Sequence, residues 1–322
     1  PLIRTYDMQG DWERTLSFLE RFTALTDADL GTNVDNNWSD GATVDAHTGA
    51  GWTYDYLFDR FGRRGLDGNE GQMVALVHPV RRRDFNTVPR SVRSSFYLNA
   101  FYAGNGIVVF GEGLPAGFTD SRGKTIDFFS AALDIVAHEL AHGLIDETSN
   151  LIYQGESGAL NEAFSDIIGT SVEFFVAETG RHPQERADYL CGEDVFKPGG
   201  IRSMADPLSY GHPDHYSIRL PTSAKRDNGH VHFNSSIANH AFYLAIEGGM
   251  NRTSGLMVTG VGEANRAQIE QVFFRAFTMM LPADATFSVA RAATIQAARD
   301  LFGVGNKVEQ AVTDAWSAVG VQ

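Results

Sequence analysis

A chain of 322 residues is long enough for one large domain or two ordinary ones. With 43 % hydrophobic and 20 % charged residues, it has a globular and not a disordered composition. Its 26 basic and 40 acidic residues leave a net charge of −14, which argues against nucleic acid or an anionic membrane as partner, since both require a positive footprint.

No stretch approaches the roughly 18 apolar residues of a membrane span. A single cysteine, Cys191, excludes an intramolecular disulfide. The chain opens at Pro1 with neither an initiator Met nor a basic and apolar leader, which predicts a start made by processing or trimming. Helical patterns are expected over Trp12 to Thr26 and Ala50 to Phe61. Met73 to Val77, Ser95 to Tyr102 and Ile107 to Phe110 read as strands among Gly- and Asn-rich turns such as Asp67-Gly68-Asn69 and Ala103-Gly104-Asn105-Gly106. From Ser130 onward apolar residues recur at three and four, predicting helices over 131–147, 157–178, 233–247, 263–280, 286–302 and 305–319. The stretch 180–230, with Pro183, Pro198, Pro207, Pro213 and Pro221, reads as irregular and, at that length, as functional or ion-binding. The expected architecture is α+β: a β-rich N-terminal domain (1–147) that includes a central helix, then a mainly helical C-terminal domain (148–322).

The central helix carries His138-Glu139-Leu140-Ala141-His142. Two His at i and i+4 share a helix face, so both imidazoles can reach one ion. Glu139, beside that face, can address a water without ligating the metal. A catalytic zinc needs three protein ligands and one open position. A metzincin would place Gly three residues and His six residues beyond His142, where Ile145 and Thr148 stand. Glu162, twenty residues on, can be the third ligand, and Asp166, four residues further on the same face, can hold a ring N–H of a ligand His. Asp134 lies one turn before His138, and Glu173 three turns after Glu162. Asp188 and Glu193 follow in the irregular stretch. Four converging carboxylates would call for a hard cation, and calcium suits such oxygen ligands.

His-Glu-Leu-Ala-His followed by Asn161-Glu162-Ala163-Phe164-Ser165-Asp166 resembles the thermolysin family of zinc metallopeptidases. The likeness extends to Ile152-Tyr153-Gln154-Gly155-Glu156-Ser157-Gly158, to Arg202-Ser203-Met204-Ala205-Asp206-Pro207, to Asp214-His215-Tyr216-Ser217 and to Asp227-Asn228-Gly229-His230-Val231-His232. It is dense from about residue 95 and patchy before.

The resemblance implies a two-domain fold with the active-site cleft between the domains, one catalytic zinc on His138, His142 and Glu162, and a metal-activated water with Glu139 as general base. It implies Tyr153 and His232 as donors to the oxyanion and Asp227 as the group that orients His232. By the same resemblance Asn99, Ala100 and Tyr102 belong to the substrate-binding edge strand, and Arg202 holds the carbonyl past the cut. The pocket for the residue after the cut is lined by Phe129, Ile135, Cys191, Val195 and Ile201. All are apolar, which predicts a bulky hydrophobic residue on the leaving-group side. Asp134, Glu173, Asp188, Glu193 and the Leu190 carbonyl correspond to calcium ligands, for one ion or two. Leu190 stands where an acidic residue often accompanies a double site, Tyr102 where a Trp is common, and His230 where a Gly is usual.

The function so implied is a secreted, extracellular, monomeric endopeptidase acting on peptides and proteins, made as a precursor with an inhibitory pro-segment. Two other readings compete. A gluzincin aminopeptidase would carry a Gly-x-Met-Glu-Asn element, which is absent from this sequence. A catalytically dead, metal-stabilised binding protein would have lost Glu139, Tyr153 or His232, and all three are present.

Overall fold

The computed structural model describes residues 2–32, 38–182 and 186–322, so Pro1 and Pro183, singled out above, lie outside the described residues. The fold is α+β, and the chain separates into two units. One comprises Pro1–Gly143, Val172–Arg186 and Gly192–Ile201; the other comprises Leu144–Ser171, Ala187–Cys191 and Arg202–Gln322.

In the first unit, strand β1 (Ile3–Asp7) leads through helix α1 (Trp12–Leu19) and helix α2 (Gly41–Phe61) to β2 (Met73–Val77). Helix α3 (Arg90–Phe96) then precedes the hairpin of β3 (Ala100–Gly104) and β4 (Ile107–Phe110). The sheet order is β1-β2-β4-β3, parallel except for β3, which pairs antiparallel with β4 and forms one edge. Strand β2 is an unbroken apolar run because it is buried on both faces, as interior parallel strands are. The β3–β4 turn uses Asn105 and Gly106 at φ +54° and +74°, the left-handed pair that matches strand twist. A Cβ on Gly106 would run into the Gln72 carbonyl, so glycine is required there on contact as well as dihedral grounds.

Helix α4 (Leu133–Asp146) is nearly all buried, and α2 approaches it closely at Gly49, where an added Cβ would lie 2.9 Å from Val136 Cγ1. Helix α5 (Gly155–Thr179) supplies Val172 to Thr179 to this unit, including Phe175, which packs edge-on against Tyr56 at 5.6 Å.

Several elements differ from the sequence reading. The stretch Ser95 to Tyr102 is not one strand: α3 runs to Phe96 behind Pro89, and β3 starts only at Ala100. Alternating apolar residues there serve a helix end and a strand start in succession. Helix α1 stops at Leu19, because Arg21 turns left-handed (φ +65°) and the Phe22 N–H closes back on the Ser17 carbonyl. Helix α2 begins at Gly41, nine residues before the expected start. Its first turns are rich in Gly, Thr and Asp, which periodicity reads as loop. Strand β1 carries too little apolar alternation to stand out from sequence alone.

The second unit is helical. Besides the first part of α5 it holds α6 (Asp227–Glu247), α7 (Arg266–Met279), α8 (Phe287–Phe302) and α9 (Lys307–Ala318). Side-chain caps start the last two: Thr286 accepts from the Val289 N–H, and Asn306 from those of Val308 and Glu309. The core is aromatic. Phe164 stacks on Phe277 at 4.9 Å, Phe242 meets Phe273 edge-on at 5.2 Å, and the buried Trp316 donates its indole N–H to Thr294 at 2.8 Å. The irregular stretch is built from 3-10 turns (Pro207–Tyr210, Tyr216–Ile218) and two-residue strands such as Leu190–Cys191, paired with Arg202–Ser203.

Candidate active site

Helix α4 sets His138 and His142 one turn apart, with their Nε2 atoms 3.1 Å from one another. Two ligands of a tetrahedral ion at zinc distances lie about 3.3 Å apart, so the separation suits a shared metal. The next residue, Gly143, has to be small: a Cβ would lie 2.9 Å from both Leu66 Cδ1 and Tyr102 Cε2. The strand residue Tyr102 thus borders helix α4, and its hydroxyl accepts from the Gly106 N–H at 3.2 Å.

Glu162 is fully buried on α5. One ligand atom from each of His138, His142 and Glu162 lies within 4.8 Å of the others, and among the described residues no other group of three or more His, Cys, Asp and Glu side chains meets this spacing. Two imidazoles and a carboxylate are the three-residue donor set that catalytic zinc sites use, whereas structural sites use four protein ligands. Glu139, on the same helix turn as His138, is 8 % exposed.

Three more side chains gather around Glu162. The Tyr153 hydroxyl donates to Glu162 Oε1 and lies 3.3 Å from His232 Nε2, while His232 Nε2 is 3.4 Å from Glu162 Oε2. Asp227 holds His232 twice, accepting from ring Nδ1 at 2.5 Å and from its backbone N–H at 3.2 Å. Burial works against charge on His232, but the Glu162 carboxylate and the Asp227 hydrogen bond outweigh it and hold the imidazole above its ordinary pKa.

The backbone presenting Tyr153 is fixed by the Ile152 N–H on the Ala283 carbonyl (2.8 Å) and by the Ser157 hydroxyl on the Ile152 and Gln154 carbonyls (2.7 and 2.9 Å). The backbone presenting His232 is a left-handed turn. Asp227, Asn228, Gly229 and His230 all have positive φ, at 51°, 47°, 90° and 60°. Helix α6 continues in the normal hand from there.

Asp166 receives Arg202 in bidentate fashion, Nη2 at 2.7 Å and Nε at 3.0 Å, and also the Asn239 amide at 2.7 Å. The two residues assigned separately from sequence therefore form one buried ion pair. Asn239, which the sequence reading did not include, lies two helical turns after His232 on α6. That spacing was the available signal, but Asn is common enough on a helix to hide it.

Among the residues assigned from the sequence to an apolar pocket, Phe129 meets Phe196 edge-on at 5.4 Å, and a Cβ on Gly192 would lie 3.3 Å from Ile135 Cδ1 and 3.2 Å from Phe196 Cδ2. Val195 is fully buried and Ile201 half-buried. Cys191 is buried and pairs in register with Arg202. Asn99 is exposed, just before the edge strand that begins at the buried Ala100.

Of the residues assigned to calcium, Asp134 and Glu173 are buried, Leu190 and Glu193 half-buried and Asp188 exposed. Asp134 accepts from the Gly192 N–H at 2.6 Å, and Asp188 from that of Leu190 at 2.6 Å.

Family comparisons agree with this geometry. The thermolysin metallopeptidase catalytic-domain model matches residues 2–146, and the thermolysin metallopeptidase alpha-helical-domain model matches residues 149–321. The chain belongs to the thermolysin family of metallopeptidases. Among relatives in this family, bacillolysin of Brevibacillus brevis is 40 % identical over 297 residues, 91 % of this chain and 48 % of that protein. Thermolysin of Bacillus sp. (strain EA1) is 40 % identical over 299 residues, with the same shares. The chain thus spans about half the length of these relatives. Among solved structures, the precursor of protealysin, a metalloproteinase from Serratia proteamaculans, superimposes with a TM-score of 0.73 at 30 % identity, covering 100 % of this chain and 88 % of that one.

Proposed function

We propose that this thermolysin-family chain is a zinc-dependent endopeptidase. The observation that carries the reading is the convergence of His138, His142 and Glu162, with Tyr153 and the Asp227-held His232 gathered about Glu162. Zinc bound by those three residues would supply Lewis acidity, making a water nucleophilic near neutral pH and polarising the scissile carbonyl.

The protein's own groups do the rest. Glu139 takes the proton of the attacking water and passes it to the leaving amine. Tyr153 Oη and His232 Nε2 donate to the oxyanion that forms at the carbonyl, a contribution of about 2.7–4 kcal/mol per donor in comparable sites. Asp227 engages Nδ1 of His232, so Nε2 is the nitrogen left to face the carbonyl, and it bears a hydrogen when the ring is charged.

The substrate adds as a strand along the β3 edge, with Asn99 and the Ala100 carbonyl on its backbone and Tyr102 beside them. Nη1 of Arg202, the nitrogen that Asp166 does not engage, addresses the carbonyl past the cut. Phe129, Ile135, Cys191, Val195 and Ile201 then select a bulky hydrophobic residue on the leaving-group side. In this reading residues 1–147 form one functional half and 148–322 the other. Asp134, Glu173, Asp188, Glu193 and the Leu190 carbonyl hold one or two structural calcium ions, and the enzyme is a secreted monomer whose substrates are peptides and proteins. A pro-segment in the precursor is suggested by the precursor form of its protealysin relative.

The test is cleavage of casein and of an internally quenched peptide, with and without a zinc chelator, beside Glu139→Ala. We expect activity that chelation abolishes and zinc restores, internal cleavage of the peptide, and a loss of at least about a thousandfold in the variant. Zinc bound without activity would overturn the proposal in favour of a binding protein. Removal of single terminal residues would favour an aminopeptidase.

A further inference from the structure

The segment 192–201 carries two of the proposed pocket residues, Val195 and Ile201, and contains little regular structure of its own. Its first half is held by backbone bonds: the Phe196 N–H reaches the Gly192 carbonyl at 2.8 Å, and the Val195 carbonyl accepts from the Asp127 N–H at 3.0 Å. The strand pair ends at Thr125 and Lys197. Past that point, among the described residues, the carbonyls of Pro198 and Gly200 lie outside the strand pairing.

The Lys124 ammonium meets both of them, donating to the Pro198 carbonyl and to the Gly200 carbonyl at 2.6 Å each. Lys124 itself is set by a tight turn. Asp120 accepts the N–H groups of Arg122 and Lys124 on its side chain, each at 2.8 Å, and its own N–H reaches the Lys124 carbonyl at 2.8 Å. The chain therefore builds a hydrogen-bonded turn and uses its last residue as an internal cation bridging the carbonyls of Pro198 and Gly200, the latter directly before Ile201. Charge-assisted bonds of this kind are short and among the stronger ones available to a backbone carbonyl.

We propose that Lys124 is a positioning residue for leaving-side specificity: its ammonium clamps residues 198–200 and so fixes the pocket wall formed by Val195 and Ile201. The inference rests on the proposed assignment of those residues to the pocket. A pocket discriminates by the fit of its walls, so a wall free to shift accepts a small side chain and a large one more nearly alike. Lys124 touches no substrate in this scheme and acts only through the segment it holds.

The experiment compares kcat/KM for two quenched peptides that differ only in having Leu or Ala after the cut. The enzymes are the wild-type chain, Lys124→Met, Lys124→Arg and Ile201→Ala. A simple loss of folded enzyme lowers both substrates in proportion and leaves their ratio alone. We expect Lys124→Met to lower the Leu/Ala ratio by about three- to tenfold, chiefly through KM for the Leu peptide. Lys124→Arg, which keeps the donors, should retain most of the ratio, and Ile201→Ala should change it. An unchanged ratio in Lys124→Met beside a changed one in Ile201→Ala overturns the clamp and leaves the pocket standing. A ratio that neither variant moves overturns the pocket assignment and the clamp with it.

Discussion

Gly229 is the position at which a single added carbon should do most harm for its size. It is the third of four consecutive residues with positive φ, and its own value of +90° lies beyond what L-residues adopt comfortably. A Cβ there would lie 3.0 Å from the Thr222 carbonyl carbon and 3.1 Å from Gly155 Cα, with the Thr222 carbonyl oxygen closer still. These are backbone atoms, which cannot swing aside as a side-chain end can. Left-handed backbone costs an L-residue about 1–2 kcal/mol, and forcing a carbon into a filled site adds about 1–3 kcal/mol. Gly229→Ala should therefore lose at least about 2 kcal/mol, a Tm drop of at least about 4 °C at the usual 2–4 °C per kcal/mol.

Function should fall with stability in that variant. Asp227, which orients His232, begins the same turn, and Gly155 lies two residues from Tyr153. Both proposed oxyanion donors would be displaced, so kcat should drop more than KM rises. Asn228→Gly, at φ +47°, is the control: Asn already tolerates this conformation, so its Tm should change little. Scanning calorimetry with peptide kinetics makes the comparison. A Gly229→Ala protein that melts with wild type and turns over normally would refute the argument from turn geometry.

Two other outcomes follow from buried charge. His78 donates to Glu112 at 2.7 Å and lies 3.0 Å from an Asp40 oxygen; burial opposes its charge, but these carboxylates raise its pKa to about 9. Because that value exceeds the ordinary 6.5, the stabilisation is fully present below about pH 6.5 and is lost as pH rises through about 9. The Tm of wild type should fall across that window more steeply than that of His78→Gln, and parallel curves would refute the assignment. Arg202→Met would take the bidentate guanidinium away from the buried Asp166 carboxylate, at a cost of about 3–5 kcal/mol in a denaturant titration. A loss below about 1 kcal/mol would show that Asp166 is satisfied without its arginine.

Much of this protein was legible in one dimension because its chemistry is helical. Residues at i and i+4 lie on one helix face whatever else the chain does, so His138 and His142 could be paired from spacing, and Glu162 and Asp166 placed on one face of the next helix. The long helices of the second half announced themselves by apolar repeats for the same reason. Tyr153, Asp227, His232 and Arg202 came from resemblance, since each lies on a turn, a helix start or a two-residue strand whose position no period encodes. Tertiary structure alone decided the rest: that Arg202 and Asn239 meet on Asp166, that Lys124 reaches two carbonyls more than seventy residues away, and that β3 is an edge while β2 is not. Those contacts join residues far apart in the chain, and their geometry depends on how turns with positive φ redirect the backbone. A local pattern specifies which face a side chain occupies on its own element, but the partner it meets is set by packing across the whole unit.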